Sequence, residues 1–172
     1  MKERYIRNIE AISEEENAAL FDKKVCVIGC GGLGGYIIEI LARIGVGNLI
    51  VVDGDVFEES NLNRQLLSKT DLLGKSKAES AYRRVLEINP EVKVKYIYDF
   101  LDESNYSEII NNSDVAVDAL DNIKTKKFLQ RACEELGIPL VHGAIGGWYG
   151  QVTTIFPGDR TLDKIYKGKE DK

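Results

Sequence analysis

Apolar residues along this chain alternate between short continuous runs and stretches of helical spacing. Residues 25–29, VCVIG, are an apolar, β-rich run that halts in glycines, as a buried parallel strand does. From Gly34, GYIIEILARIG places apolar residues at 37, 38, 41 and 44, which is helical spacing, and Gly45 and Gly47 stop it. LIVVDGD, residues 49–55, reads as a second buried strand ending in acids. The stretch 56–73 has weak periodicity and predicts a loop with a short helical turn. Helical spacing resumes in KSKAESAYRRVLEIN and stops at Asn89-Pro90. VKVKYIYDF alternates like a strand, NYSEIINN is a short helix, and DVAVDAL is a fourth strand. KTKKFLQRACEELG is a helix ending at Gly137, PLVHGAI a fifth strand, and WYGQVTTIFPG a further strand expected to run antiparallel.

Strand, glycine turn, helix, strand, repeated in this order, predicts an α/β fold. The expected architecture is a doubly wound, mostly parallel Rossmann-like sheet with an antiparallel strand near the C-terminus and ligand at the carboxyl ends of the strands. Residues 1–22 read as a polar, partly helical leader, with Ser13 and Glu16 as a capping box for a helix through Leu20 and Phe21. Residues 23–158 form the nucleotide-binding domain, and 159–172, charged and aperiodic, are expected to be a flexible tail.

A chain of 172 residues buries roughly 70% of its unfolded surface, enough for one domain without a disulfide or metal staple. The formal net charge of −5 argues against a protein that coats nucleic acid, which needs clustered Lys and Arg. Neither a signal-peptide core nor an apolar run of membrane-spanning length is visible, so a cytoplasmic protein with no membrane association is expected. The three cysteines, Cys26, Cys30 and Cys133, make no CxxC pair, and no zinc site is expected in this chain.

Gly29, Gly31 and Gly34 form G-x-G-x-x-G between strand and helix. The first permits the tight turn, the second lets backbone approach phosphate, and the third lets helix pack on strand. Asp53 closes the second strand, where an acid accepts hydrogen bonds from ribose hydroxyls. NAD and ATP both fit these features. GKSKAES is not a P-loop tail, because Lys69 stands where the motif needs glycine. Arg64 and Lys77 could neutralise the charge that gathers on phosphates during adenylation, although solvated surface is the default place for such residues. Asp121 could hold Mg²⁺ against phosphate oxygens, or Asp121 or Asn122 could simply cap the next helix. Asp118 is expected to face structure, Cys26 and Cys133 to pack in the core, and His142 to be a satisfied structural histidine. Cys30 lies in the glycine loop with no histidine nearby in sequence to activate it.

VIGCGGLGG, GVGNLIVVDGD, SNLNRQ, GKSKAES, EINPEV and DALDN, in that order after RYIRNIE, resemble the ThiF/MoeB/HesA family, bacterial relatives of ubiquitin-activating enzymes. The resemblance spans roughly residues 4–157 and favours ATP over NAD. It implies a homodimer that binds ATP and Mg²⁺ and adenylates the C-terminal glycine carboxylate of a small sulfur-carrier or ubiquitin-like protein such as ThiS or MoaD. Asp53 would bind ribose; Asp55, Asn61, Arg64, Gln65 and Lys77 would surround the phosphates. Arg7 would reach into the neighbouring subunit's site, and Asp121 would coordinate Mg²⁺. The family's two CxxC zinc pairs and the cysteine of its crossover loop have no counterpart in this sequence. Three alternatives stand beside this reading: an enzyme like tRNA threonylcarbamoyladenosine dehydratase, a non-catalytic nucleotide-binding module, and an NAD-dependent oxidoreductase.

Overall fold

The computed structural model describes residues 2–169. Twelve elements carry the fold: α1 (Glu14–Asp22), β1 (Lys24–Ile28), α2 (Gly34–Ile44), β2 (Asn48–Val52), α3 (Lys77–Ile88), β3 (Lys93–Ile97), α4 (Tyr106–Ile110), β4 (Val115–Asp118), α5 (Ile123–Leu136), β5 (Leu140–Gly146), β6 (Tyr149–Ile155) and α6 (Thr161–Ile165). The six strands form one sheet in the order β3-β2-β1-β4-β5-β6. All neighbours pair parallel except β5 and β6, which are antiparallel.

Strand period decides where each apolar residue goes. Val25, Val27, Leu49 and Val51 point to one face, where they meet Ile38 and Ala42 of α2 and Ala78, Ala81 and Val85 of α3. Cys26, Ile28, Ile50 and Val52 point to the other, against Ile109 and Ile110 of α4, Leu129 and Cys133 of α5 and Leu162 of α6. Apolar residues on both faces explain why the central strands read as unbroken runs. Burial pushes the Cys26 and Cys133 thiols up to about 12, which makes them core-packing groups rather than nucleophiles.

The strand order changes direction between β2 and β4, which flank β1. α2, which leaves β1 for β2, packs on one face and α4, which leads into β4, on the other, and a crevice opens above the strand ends between them. Among the described residues, no helix is long and apolar enough to cross a membrane.

Two regions outside the sheet bear on the site. In the leader, Ser13 Oγ accepts the Glu16 N–H at 3.1 Å and Glu16 Oε2 accepts the Ser13 N–H at 2.8 Å, the reciprocal cap expected for α1. Tyr5 anchors the preceding 3₁₀ turn by burying its ring on Gly45 and accepting from Asn89 Nδ2 at 2.7 Å. The expected free tail is different from what the structure shows: after β6 the chain turns back and forms α6. Leu162 is fully buried, and its N–H donates to Gln130 Oε1 at 2.7 Å. One buried leucine and one buried amide leave no periodicity in sequence, so this docking was not readable as an element. The last part of that tail, 170–172, lies outside the described residues.

Candidate nucleotide site

A cavity of about 820 Å³ opens at the carboxyl ends of β1, β2, β4 and β5. Its floor is the glycine turn. Gly29 has φ +99, a left-handed conformation, and a Cβ there would lie 2.6 Å from the Ala119 carbonyl oxygen. A Cβ on Gly34 would lie 1.8 Å from the Gly29 carbonyl oxygen. Gly31 is different: a Cβ would meet only the Gln65 side chain, at 3.5 Å, and the residue lines the cavity. Two of the glycines therefore serve packing, and the middle one keeps space open above the backbone.

Asp53, at the end of β2, is held by the turn it faces. Its Oδ2 accepts the Cys30 N–H at 2.7 Å and its Oδ1 accepts the Asp55 N–H at 2.8 Å. Burial raises the Asp53 carboxyl above its ordinary value, opposed by those two hydrogen bonds and the Lys77 charge. Cys30 is buried beside it, and its thiol is pushed well above the usual range, first by burial and then by Asp53. Such a thiol packs and does not react.

Lys77 begins α3, buried to 7% exposure, with Nζ 3.0 Å from Asp55 Oδ2. Arg64 is exposed at the cavity rim, donating to the Ser60 carbonyl at 2.7 Å and to Asn63 Oδ1 at 3.2 Å. Gln65 lines the cavity and is buried, and its Oε1 has no hydrogen-bond partner among the described residues. An orphaned buried amide at a cavity wall is a group awaiting a ligand or water. Asp121 lines the cavity as well, whereas Asn122 takes the capping role, its Oδ1 accepting the Thr125 N–H at 2.8 Å. The cap therefore leaves the Asp121 carboxylate to the cavity.

Gly29, Gly31, Asp53, Asp55, Arg64, Gln65, Lys77 and Asp121 thus converge, with Gly34 just beneath. Asn61 does not join them. It is buried within its own loop, where its Oδ1 accepts the Glu58 N–H at 3.0 Å and shapes the turn that carries Arg64 and Gln65. Arg7 is exposed on the leader and does not line this cavity. Sequence reasoning missed Lys126 and Tyr166, which line the opposite wall. Lys126 lies one helical turn past Asn122, a spacing that could have flagged it; Tyr166 sits in the segment taken for a tail.

A glycine turn, an acid at the end of β2 and two cations around one cavity of a doubly wound sheet define a nucleotide-binding α/β domain. The chain belongs to the ThiF family, whose family model matches residues 4–172. It is 46% identical over 157 residues to the SAMP-activating enzyme E1 of Haloferax volcanii, covering 90% of this chain and 58% of that protein. The molybdopterin-synthase adenylyltransferase of Haemophilus influenzae is 34% identical over 171 residues, covering 95% of this chain and 70% of the relative. Among solved structures, the E. coli tRNA N6-threonylcarbamoyladenosine dehydratase TcdA in complex with ATP superposes with a TM-score of 0.80 at 32% identity. That match covers 85% of this chain and 61% of the other. Against several of the curated relatives it matches, the chain spans between half and two thirds of their length.

Proposed function

We propose that this chain binds ATP with Mg²⁺ and adenylates the C-terminal glycine carboxylate of a small sulfur-carrier or ubiquitin-like protein. The observation that carries this reading is the placement of Arg64 and Lys77 on the wall of one cavity that Gly31 and Asp53 also line. That is a triphosphate's charge pattern laid beside a ribose site. A carboxylate oxygen of the acceptor attacks the α-phosphorus, forming the acyl phosphate. The bond from that phosphorus to the bridging oxygen breaks, and pyrophosphate leaves with the electron pair. The acceptor is ionised near neutral pH, so no general base is needed. Acceleration comes from alignment of the reactants and from Arg64 and Lys77 stabilising charge on the phosphates as the bond breaks.

Among the described residues, no three His, Cys, Asp or Glu side chains converge on a metal position. A lone carboxylate such as Asp121 fits magnesium all the same, because Mg²⁺ in phosphate sites takes one or two carboxylates and completes its shell with phosphate and water. Asp121 would hold the ion, which when bound neutralises phosphate charge.

We further propose a homodimer in which Arg7 completes the neighbouring copy's site, since Arg7 does not line its own cavity. An apolar cavity of about 700 Å³ against Ile37, Leu41, Val117, Val141 and Val152 supports burial of that face by another chain. ATP–pyrophosphate exchange with a Gly-Gly-ending carrier from the same genome tests both readings. Arg64→Ala and Arg7→Ala should each abolish exchange, yet their equimolar mixture should recover about a quarter of wild-type activity through heterodimers with one intact site. No recovery on mixing would refute the shared site, and no exchange with any carrier would refute adenylation. The TcdA likeness favours a second acceptor, a carboxylate on tRNA, which salt-sensitive tRNA binding would support.

A further inference from the structure

Beneath the wall opposite the cations lies a buried polar chain. Asp118, fully buried at the end of β4, accepts the Leu120 N–H and the Lys126 ammonium on Oδ1, both at 3.0 Å. Its Oδ2 faces His142 Nδ1 at 2.7 Å. Gln151 Nε2 lies 2.9 Å from His142 Nε2 and 3.0 Å from the Tyr166 hydroxyl, which is itself 3.3 Å from His142 Nε2. Four strands and helices (β4, α5, β5 and β6) and the turn ending α6 are tied together here.

Counting hydrogens fixes the direction of the chain. A carboxylate oxygen only accepts, so Nδ1 of His142 carries a hydrogen; an amide nitrogen only donates, so Nε2 of His142, which faces Gln151 Nε2, accepts with its single lone pair. The amide nitrogen of Gln151 has two hydrogens. One goes to that lone pair, and the second goes to the Tyr166 oxygen. The Tyr166 oxygen is thereby an acceptor within the network, and its own hydrogen finds the nearest lone pair already taken. Tyr166 lines the cavity, so that hydrogen is free to serve an acceptor there.

The cavity has two halves. Asp53, Gly31, Arg64 and Lys77 occupy the side of β1 and β2, and Gly143, Ala144, Lys126 and Tyr166 the side of β4 and β5. The nucleotide reading uses the first half together with Asp121 just past β4, which leaves Gly143, Ala144, Lys126 and Tyr166 for the group being activated. We propose that Tyr166 receives the acceptor, its hydroxyl donating a hydrogen bond to an oxygen of the peptide C-terminal carboxylate; this rests on the adenylation reading above. Gln151 and His142 are positioning residues that preset the donor. Burial, with the Asp118 charge second, raises the Tyr166 phenol above its ordinary value, so the oxygen keeps its hydrogen at neutral pH.

The test compares two probes by calorimetry: AMP, which fills the nucleotide half, and 5′-O-(N-glycylsulfamoyl)adenosine, a stable mimic of a glycyl adenylate that fills both. Tyr166→Phe should weaken the glycyl compound by about three- to tenfold, the share of one hydrogen bond, and leave AMP within about twofold. Gln151→Met frees the His142 lone pair for the Tyr166 hydrogen, so it should give the same selective loss with the tyrosine in place. The double variant should be no weaker than Tyr166→Phe alone. Equal loss for both probes, or none, in Tyr166→Phe overturns the assignment, as does Gln151→Met binding both like wild type. If the wild-type protein itself shows no preference for the glycyl compound over AMP, the adenylation reading falls and this inference with it.

Discussion

Replacing Lys77 by alanine should lower ATP–pyrophosphate exchange by about two to three orders of magnitude, the loss seen when one preorganised donor to a charged transition state is removed. Lys77 is fixed at the start of α3 with its ammonium on Asp55 and its stem buried, so on the proposed reading it would meet the phosphates already ordered. Asp55 is half exposed and remains solvated when its partner goes, so urea unfolding should shift by about 1 kcal/mol or less. Lys77→Arg should restore little, because a planar guanidinium on a longer stem does not fit a site built for a point charge. Exchange within about threefold of wild type in Lys77→Ala would assign the residue to the structure of the α3 start and not to the chemistry.

The second large effect separates fold from ligand within the same loop. Gly34→Ala drives a methyl group to 1.8 Å from the Gly29 carbonyl oxygen and 2.7 Å from its carbon, both backbone atoms that cannot swing aside. The expected cost is about 4 kcal/mol or more, a large part of a domain's total stability, and should appear as a collapsed urea midpoint or insoluble protein. Gly31→Ala meets only the Gln65 side chain, at 3.5 Å, and should fold with its midpoint nearly unchanged. Its methyl occupies the space over the backbone that phosphate would take, so ATP affinity should fall by about tenfold or more. A Gly31→Ala protein that binds ATP normally would show that phosphate does not approach the turn there.

These contrasts mark what the sequence carries and what it does not. The glycine turn and Asp53 were legible because each is local: strand, turn and acid are consecutive, and their spacing alone places them. The doubly wound, mostly parallel class followed from the alternation of strands and helices, and an antiparallel strand was expected at WYGQVTTIFPG; the order β3-β2-β1-β4-β5-β6 came only with the structure. The choice between Asp121 and Asn122 was not legible, since either side chain can cap a helix; only the Asn122–Thr125 hydrogen bond decides it. Asn61 shows the reverse limit. A polar residue amid a motif was expected beside the phosphates, yet its amide builds the loop that supports Arg64. Lys126, His142, Gln151 and Tyr166 are spread over 40 positions and meet only because β5, β6 and α6 fold back toward β4. No periodicity encodes such a meeting.

Asp53 has both carboxylate oxygens engaged by main-chain N–H groups. Its rotamer is therefore settled during folding, and on the proposed reading a sugar would meet a fixed acid with lone pairs still to spare. Little rotational freedom remains to be lost when the nucleoside arrives, so recognition at that corner resembles a key entering a finished lock.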